Sequence, residues 1–228
     1  MSEVQTIESY AGRRVGEIAA NLPGATSVFR RFEIDFCCHG DVLLAKAAEA
    51  RGVDVETIEQ ALQELDGVAP AALPSDTGEL IDHILERYHE VHRRQVPELI
   101  ALSRKVERVH AAKAGVPAGL ADLLQQALGE LEMHMRKEEL ILFPAMRQLG
   151  AGPLQGPIDQ MRQDHSDHGE LLETITSLTN GFTPPEGACG TWRALYAGSA
   201  QFKDDLIDHI HIENNILFPR FEAHAAAA

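Results

Sequence analysis

The sequence predicts an all-α protein in which a small helical N-terminal domain precedes an up-down-up-down bundle of four long helices. Two observations favour this fold class. Apolar residues recur at helical spacing along Ala-, Leu- and Glu-rich stretches, while only 5% of the 228 residues are aromatic. Short breaks rich in Gly and Pro separate those stretches. With 44% hydrophobic residues, the chain can form a true core.

Residues 1–68 are predicted to form the small N-terminal domain. Pro23-Gly24 and His39-Gly40 separate short helices, and the segment from Gly67 to Pro74 is typical of a linker, which we place at 69–75. Four apolar stripes mark the helices: Val15, Ile18, Ala19 and Leu22; Val28, Phe29 and Phe32; Leu43, Leu44 and Ala47; Val55, Ile58, Leu62 and Leu65.

Residues 76–223 are predicted to form the four-helix bundle. Asp76 followed by Glu79 is a capping-box pattern that opens the first helix, and Pro117 lies in the first turn of the second. The helices are predicted at about 76–112, from 117 to about 149, after 153 to about 179, and after 190 to about 222. Such helices are about 40–50 Å long, and their short connections favour antiparallel neighbours.

Charge and composition exclude several classes of function. The formal net charge is −15 and no block of Lys or Arg occurs, which argues against nucleic acid or an anionic membrane as a partner. We expect no secretory signal and no membrane span, because no apolar stretch approaches about 20 residues. Three cysteines, two of them adjacent, form no disulfide framework and favour a reducing cytoplasm.

A repeat of chemically active residues links the four predicted helices. An H-x-x-x-E motif followed by Leu-Phe-Pro occurs twice, with matched positions 75 residues apart. A pair of histidines on the first helix is matched on the third, with an offset of 76. The motif residues are His134, Glu138 and Leu142-Phe143-Pro144, then His209, Glu213 and Leu217-Phe218-Pro219; the histidine pairs are His89 with His92 and His165 with His168.

This repeat predicts a centre for two metal ions. In H-x-x-x-E the imidazole and the carboxylate share one helix face, so two facing helices offer two imidazoles and two bridging carboxylates. One histidine from each remaining helix brings the set to four imidazoles. Such ligands suit iron, manganese or zinc, and the lack of thiolate argues against structural zinc. Two bridging glutamates and one solvent-derived oxo or hydroxo bridge would give each ion five ligands and an open position. Spacing alone leaves His89 or His92, and His165 or His168, undecided.

Other polar residues receive their own predictions. Glu130 and Asp205 stand four residues before His134 and His209, as expected for carboxylates that accept a hydrogen bond from the ring N–H of a ligand. Four further histidines are assigned to the solvated surface: His83, His110, His211 and His224.

The adjacent thiols of Cys37 and Cys38 support several interpretations. They run into a predicted helix capped by Asp41, whose positive end would favour thiolate. The pair could form a strained, reducible disulfide or jointly hold a soft ion. The alternative is two small buried hydrophobic residues. Cys189, in the last loop, is expected to be structural or incidental.

Taken together, these residues resemble the di-iron family that repairs iron–sulfur clusters, often called RIC or ScdA-like, over nearly the whole chain. The resemblance implies a hemerythrin-like bundle that holds two non-haem irons, and by analogy alone it selects His89 and His165. The motifs that carry it are Asp35-Phe36-Cys37-Cys38, Arg87-Tyr88-His89, Asp164-His165, Asn214 and Thr183-Pro184-Pro185, with both H-x-x-x-E motifs. The implied iron ligands are His89, His134, Glu138, His165, His209 and Glu213.

The resemblance also implies a function in the stress response: repair of iron–sulfur clusters damaged by nitric oxide or oxidants, by donation of iron. Cys37 and Cys38 would then serve in thiol chemistry or iron transfer. Expected partners are damaged iron–sulfur proteins, with nitric oxide or oxygen as small ligands, and a homodimer is compatible with the sequence. Two alternatives stay open: an enzyme that reduces nitric oxide or peroxide at the di-iron centre, and a gas sensor of the hemerythrin type. The paired thiols favour repair, because a sensor needs none.

Overall fold

The computed structural model describes residues 9–65, 73–148 and 154–222, and in these ranges the chain is helical throughout. The backbone forms no strand there beyond one isolated bridge between Arg14 and Leu43. The predicted all-α class is therefore confirmed. Within the same ranges, no helix has the length and apolar character needed to cross a membrane.

The chain divides into two compact units. One consists of Met1–Leu73 with His211–Pro219, and the other of Pro74–Ile210 with Arg220–Ala228. Most of the predicted linker, residues 69–72, lies outside the described residues, and the predicted boundaries at 68 and 76 stay predictions.

Residues 9–65 of the first unit form four short helices: α1 (Val15–Asn21), α2 (Ala25–Arg31), α3 (Leu44–Arg51) and α4 (Val55–Gln63). Asp54 caps α4 by accepting a hydrogen bond from the backbone N–H of Glu56 at 3.1 Å. Each predicted apolar stripe contributes buried residues to the core of this unit, namely Val15, Ile18, Phe29, Leu44, Ile58 and Leu62. Leu43 of the third stripe is 43% exposed, because it precedes the first turn of α3, so its assignment to the core was wrong.

Two glycines of the first unit permit a close approach of the backbone. The N–H of Gly16 donates to the carbonyl of Gly40 at 2.9 Å. The side chain of Asn215 lies over both, since a Cβ at either position would fall within 2.4 Å or 2.6 Å of its Oδ1. Any side chain at Gly16 or Gly40 would therefore displace Asn215.

The second unit is built from the long helical segments. Helix α5 (Thr77–Ile84) continues through a π turn into α6 (Glu90–Val109), and α7 (Leu120–Lys137) continues through a second π turn into α8 (Phe143–Met146). Helices α9 (Gln155–Leu178) and α10 (Gly190–Ile212) complete the set. The last two residues of α10 and the π turn that follows it, Glu213–Leu217, belong to the first unit. Asp76 accepts a hydrogen bond from the N–H of Glu79 at 3.0 Å, so the predicted cap is present.

Candidate metal centre

Three π turns interrupt the long helices at the predicted ligands. They are Leu85–His89, Glu138–Leu142 and Glu213–Leu217, so that each begins or ends on a predicted ligand. A π turn adds one residue to a helical turn and shifts the side chains that follow, and such turns recur at functional sites. The second and third are 75 residues apart, as are the two H-x-x-x-E motifs.

Two groups of nitrogen and oxygen atoms converge where these helices meet. In one, Nε2 of His89 lies 3.2 Å from Nε2 of His209 and 3.4 Å from Oε2 of Glu138. In the other, Nε2 of His134 lies 3.2 Å from Nε2 of His165 and 3.3 Å from the same Oε2. Glu138 thus belongs to both groups, as a bridging carboxylate would.

Glu213 is the second carboxylate common to the two groups. It follows His209 by one helical turn on a continuous helix, so its side chain lies on the same face. Within each group, one potential ligand atom per residue lies within 4.8 Å of all the others. The structure therefore brings together all six predicted ligand residues.

Burial tests whether these residues fit a metal pair. His134 is 1% exposed, and the other five side chains belong to residues that are fully buried. Carboxylates taken out of water are costly unless opposite charge or hydrogen bonds compensate them. Four imidazole nitrogens facing two shared carboxylates supply the ligands that iron accepts, and two cations would neutralise the buried charge. The donor set fits.

Two further carboxylates orient the ligand imidazoles. Glu139 Oε1 lies 2.8 Å from Nδ1 of His89, and Asp164 Oδ2 lies 3.3 Å from Nδ1 of His134. When these nitrogens carry the ring proton and donate it to the carboxylates, both Nε2 atoms keep a lone pair for a metal. Sequence reasoning missed both residues, although each is adjacent in the chain to a predicted ligand.

The carboxylates predicted for this role have other partners. Glu130 accepts a hydrogen bond from Gln126 at 2.9 Å. Asp205 accepts from Arg87 at 2.5 Å and from Gln201 at 3.1 Å. The prediction was wrong for His134, because its Nδ1 meets Asp164 on a neighbouring helix and not a carboxylate on the preceding turn of its own helix.

Cations hold the two orienting carboxylates in place. Arg93 donates to Glu139 at 2.7 Å and to Glu132 at 2.7 Å, while Lys137 donates to Asp164 at 2.6 Å. Burial opposes ionisation of Glu139 and Asp164. Hydrogen bonds from their cationic and imidazole partners outweigh burial and hold both pKa values below the ordinary range.

His92 and His168, the alternatives by spacing, lie outside both groups. His92 is fully buried, with its ring 5.5 Å from those of Phe202 and His209. His168 is 5% exposed and packs edge-on against His134 at 5.1 Å. Burial lowers the pKa of His168 to about 3, which favours the neutral ring.

The surroundings of these two histidines differ. His168 lines an open groove of about 570 Å³ between α7 and α9, together with Lys137, Asp164 and Asp167. His92 instead lies among aromatic rings, close to Tyr88 at 6.3 Å. The duplicated sequence therefore produces two unequal environments.

His211 corrects the surface assignment. It is only 5% exposed: its Nδ1 accepts a hydrogen bond from Asn215 at 2.9 Å, and its ring packs edge-on against Phe36 at 5.2 Å. Burial, followed by the charge of Arg30, lowers the pKa of His211 to about 4. The surface assignment was wrong because Phe36 and Asn215, residues of the first unit, cover the ring.

The other three surface histidines have different outcomes. His83 and His110 are half-buried, and the ring of His110 lies 5.2 Å from that of Trp192. His224 lies outside the described residues.

The loop before α3 brings Asp35, Cys37 and Cys38 together. The two Sγ atoms are 3.5 Å apart, and Cys37 Sγ is 3.4 Å from Asp35 Oδ1. The helix that follows is preceded by Leu43 and not by Asp41, so the thiols are not next to its N-terminus. The neighbouring Cys38 thiol, burial and Asp35 raise the pKa of Cys37 well above its ordinary value. The predicted preference for thiolate at Cys37 was wrong.

Cys189 has the environment that was predicted for the pair. It immediately precedes α10, and His110 Nε2 lies 3.2 Å from its Sγ. A hydrogen bond from the N–H of Trp192 and the contact with His110 lower the pKa of Cys189 to about 7. This half-buried thiol is chemically distinct, although it was expected to be structural or incidental. Its position just before the predicted fourth helix was the signal that could have identified it.

Family models match both parts of the chain. Residues 80–221 match the "Hemerythrin HHE cation binding domain", and residues 11–66 match ScdA_N, a "Domain of Unknown function (DUF542)". The six candidate ligands lie in the first match, and the thiol loop lies in the second.

Curated relatives cover almost the whole chain. The chain is similar to several proteins named "Iron-sulfur cluster repair protein YtfE". The one from Dickeya chrysanthemi is 48% identical to this chain, and the alignment covers 92% of this chain and 97% of the relative. The one in Citrobacter koseri is 47% identical, and the one in Escherichia coli K12 is 46% identical. Each of these two alignments covers 93% of this chain and 97% of the relative.

Proposed function

Because this chain belongs to the hemerythrin-domain family of iron–sulfur cluster repair proteins, we propose that it repairs damaged iron–sulfur clusters by donating iron from a buried pair of sites. The observation that carries the proposal is the position of Glu138, whose Oε2 lies 3.4 Å from Nε2 of His89 and 3.3 Å from Nε2 of His134. A carboxylate in that position can serve two ions at once.

Six residues bind two irons in this proposal. His89 and His209 serve one ion, His134 and His165 serve the other, and Glu138 and Glu213 bridge them. Glu139 and Asp164 hold the Nδ1 protons of their histidines, so both Nε2 lone pairs stay available. Bound there with an oxo or hydroxo bridge, the irons supply both the cargo for repair and redox chemistry towards nitric oxide or oxygen.

Imidazole and carboxylate ligands suit a site that releases iron as well as binding it. Imidazole and carboxylate bind iron without the thiolates that characterise permanent zinc sites. Protonation of an imidazole or movement of a shared carboxylate would open an ion to exchange. Cys37 and Cys38 are proposed to take part in that transfer as thiols.

The proposed setting is nitrosative or oxidative stress in a reducing cytoplasm. Three free cysteines, Cys37, Cys38 and Cys189, suit that compartment. The proposed partners are iron–sulfur proteins that have lost iron to nitric oxide or oxidants.

Metal analysis of the purified protein, combined with a repair assay, tests the proposal. We expect two irons per chain and recovery of activity in an iron–sulfur enzyme that nitric oxide has inactivated, with loss of iron from this protein in parallel. One ion per chain, or two tightly held zinc ions after expression in iron-replete cells, would contradict the centre. Repair with no loss of bound iron would contradict donation.

A further inference from the structure

Asp35, Cys37 and Cys38 form a compact group of potential ligands in the first unit, separate from the six residues of the centre. One ligand atom from each lies within 4.8 Å of the other two. Cys37 is 8% exposed, whereas Asp35 and Cys38 are half-buried. The group is therefore enclosed on one side and accessible on the other.

The backbone of this loop is fixed by the π turn Glu213–Leu217. Asn214 Nδ2 donates to the carbonyl of Cys37 at 2.9 Å, and Asn215 Nδ2 donates to that of Phe36 at 3.0 Å. The Phe36 ring is 1% exposed and lies 5.8 Å from that of Phe29. Because both its carbonyls and its central side chain are held, the loop presents the thiols in one arrangement.

The carboxylate of Asp35 fixes the backbone that carries the two thiols. Its Oδ1 accepts hydrogen bonds from the N–H groups of Cys37 at 3.1 Å and Cys38 at 3.0 Å. Its Oδ2 lies 2.6 Å from Nδ1 of the exposed His39. Burial would raise the pKa of Asp35, but the contact with His39 and the Cys38 N–H outweigh it and lower the pKa. The carboxylate is therefore ionised beside two thiols.

The surroundings of Cys37 disfavour ionisation of its thiol unless a cation is present. Cys38, burial and Asp35 together raise the pKa of Cys37. Two thiolates and a carboxylate so close together would repel one another. A divalent cation would reverse that balance, and its binding would release the thiol protons to solvent.

We propose that Asp35, Cys37 and Cys38 form a second cation site, which binds one thiophilic divalent ion and acts as a transfer site for ferrous iron. The transfer role rests on the proposed function, whereas the cation site does not. Three protein ligands leave a fourth position of a tetrahedral ion open, as catalytic sites do. A cysteine or carboxylate of a client protein can enter there and take the ion.

Cobalt(II) titration of the reduced full-length chain tests the site. Binding by Cys37 and Cys38 gives sulfur-to-metal charge-transfer absorption that imidazole and carboxylate ligands do not produce. We expect one cobalt ion per chain with this absorption, and its loss in Cys37→Ser and Cys38→Ser. In Asp35→Asn the amide oxygen still accepts the two loop N–H bonds, so the fold is kept while the apparent affinity falls by about tenfold or more.

Two matched controls isolate the site. Asp41→Asn removes an exposed carboxylate from the same loop, and Cys189→Ser removes the remaining thiol; both are expected to keep the absorption. Absence of the absorption in the native chain, or its loss only in Cys189→Ser, would overturn the cation site. Unchanged affinity in Asp35→Asn would remove Asp35 from the ligand set.

The repair assay separates this inference from the proposed function. If the native chain repairs a client and Cys37→Ser repairs equally well, the transfer role fails while iron donation stands. If the native chain repairs nothing but binds cobalt through the thiols, the proposed function and the transfer role fail and the cation site stands.

Discussion

The buried centre and the thiol loop are two candidate metal sites that differ in almost every physical respect. The centre takes its side chains from rigid helices, excludes water from all six residues, and uses imidazole with shared carboxylates. The thiol loop takes its ligands from four consecutive residues, leaves Cys38 and Asp35 half-exposed, and uses sulfur. Burial with bridging carboxylates favours retention of ions, while a half-open thiol site favours exchange with another protein.

The two regions also differ in how the protein pre-organises them. At the centre, Glu139 and Asp164 fix ring protons, and each is held in turn by Arg93 or Lys137. In the loop, the fixing groups are the backbone N–H bonds to Asp35 and the amide of Asn214. Mutations should therefore affect metal content at the centre and metal transfer at the loop.

The largest expected effect is the loss of iron on replacement of Glu138. Glu138→Ala removes one of the two carboxylates common to both groups, so iron measured by metal analysis should fall below one ion per chain. Helical circular dichroism should persist, because many core contacts remain. Glu130→Ala, on the same helix and bonded to Gln126, is the matched control and should keep two irons. Equal loss of iron in both variants would contradict the assignment.

Replacing both thiols of the loop should separate storage from transfer. Cys37→Ala with Cys38→Ala should leave the di-iron optical spectrum almost unchanged, because neither residue belongs to the two groups of the centre. Repair of a client inactivated by nitric oxide should fall sharply, since alanine binds no ion and carries no electrons. Full repair in this variant would reduce the pair to packing, and loss of the di-iron spectrum would place the thiols in the centre's own ligand set.

A smaller effect is expected from the carboxylate that orients His134. Asp164→Asn weakens the acceptor for the Nδ1 proton, and apparent iron affinity in a chelator competition should fall by about 10–100-fold. Asp167→Asn, exposed on the same helix and bonded to Gln163, should leave the affinity unchanged. An unchanged affinity in Asp164→Asn would limit the role of Asp164 to its ion pair with Lys137.

The smallest expected effect concerns Cys189, whose thiol pKa is lowered whereas that of Cys37 is raised. With a pKa of about 7, Cys189 should be about half ionised at neutral pH, so iodoacetamide should label it before Cys37, whose pKa is raised. Labelling of Cys189 should increase through pH 7 and then level off as the thiolate fraction saturates. His110→Phe keeps a ring against Trp192 but removes the nitrogen, so the midpoint should move to higher pH. An unmoved midpoint would assign the shift to the helix N-terminus alone.

The sequence by itself determined the helical class and four of the six residues that meet at the centre. Periodic apolar residues specify helices, and a helix places positions i and i+4 on one face whatever surrounds it. The duplicated H-x-x-x-E motif therefore identified His134, Glu138, His209 and Glu213 from local geometry. Helical spacing could not choose between His89 and His92, because residues three apart share a face.

Tertiary structure alone decided the environment of each side chain. Glu139 and Asp164 orient the ligands because neighbouring turns and helices bring them close, which no spacing along one helix expresses. His211 faces away from His209 by about 200°, yet packing in the first unit buries it. Cys38, burial and Asp35 raise the pKa of Cys37, whereas the helix end at Trp192 and the distant His110 lower that of Cys189. Helical geometry is local and periodic, whereas burial and electrostatic interactions depend on every residue that folding brings near. For this reason the sequence identified the H-x-x-x-E residues, while the tertiary structure decided their surroundings.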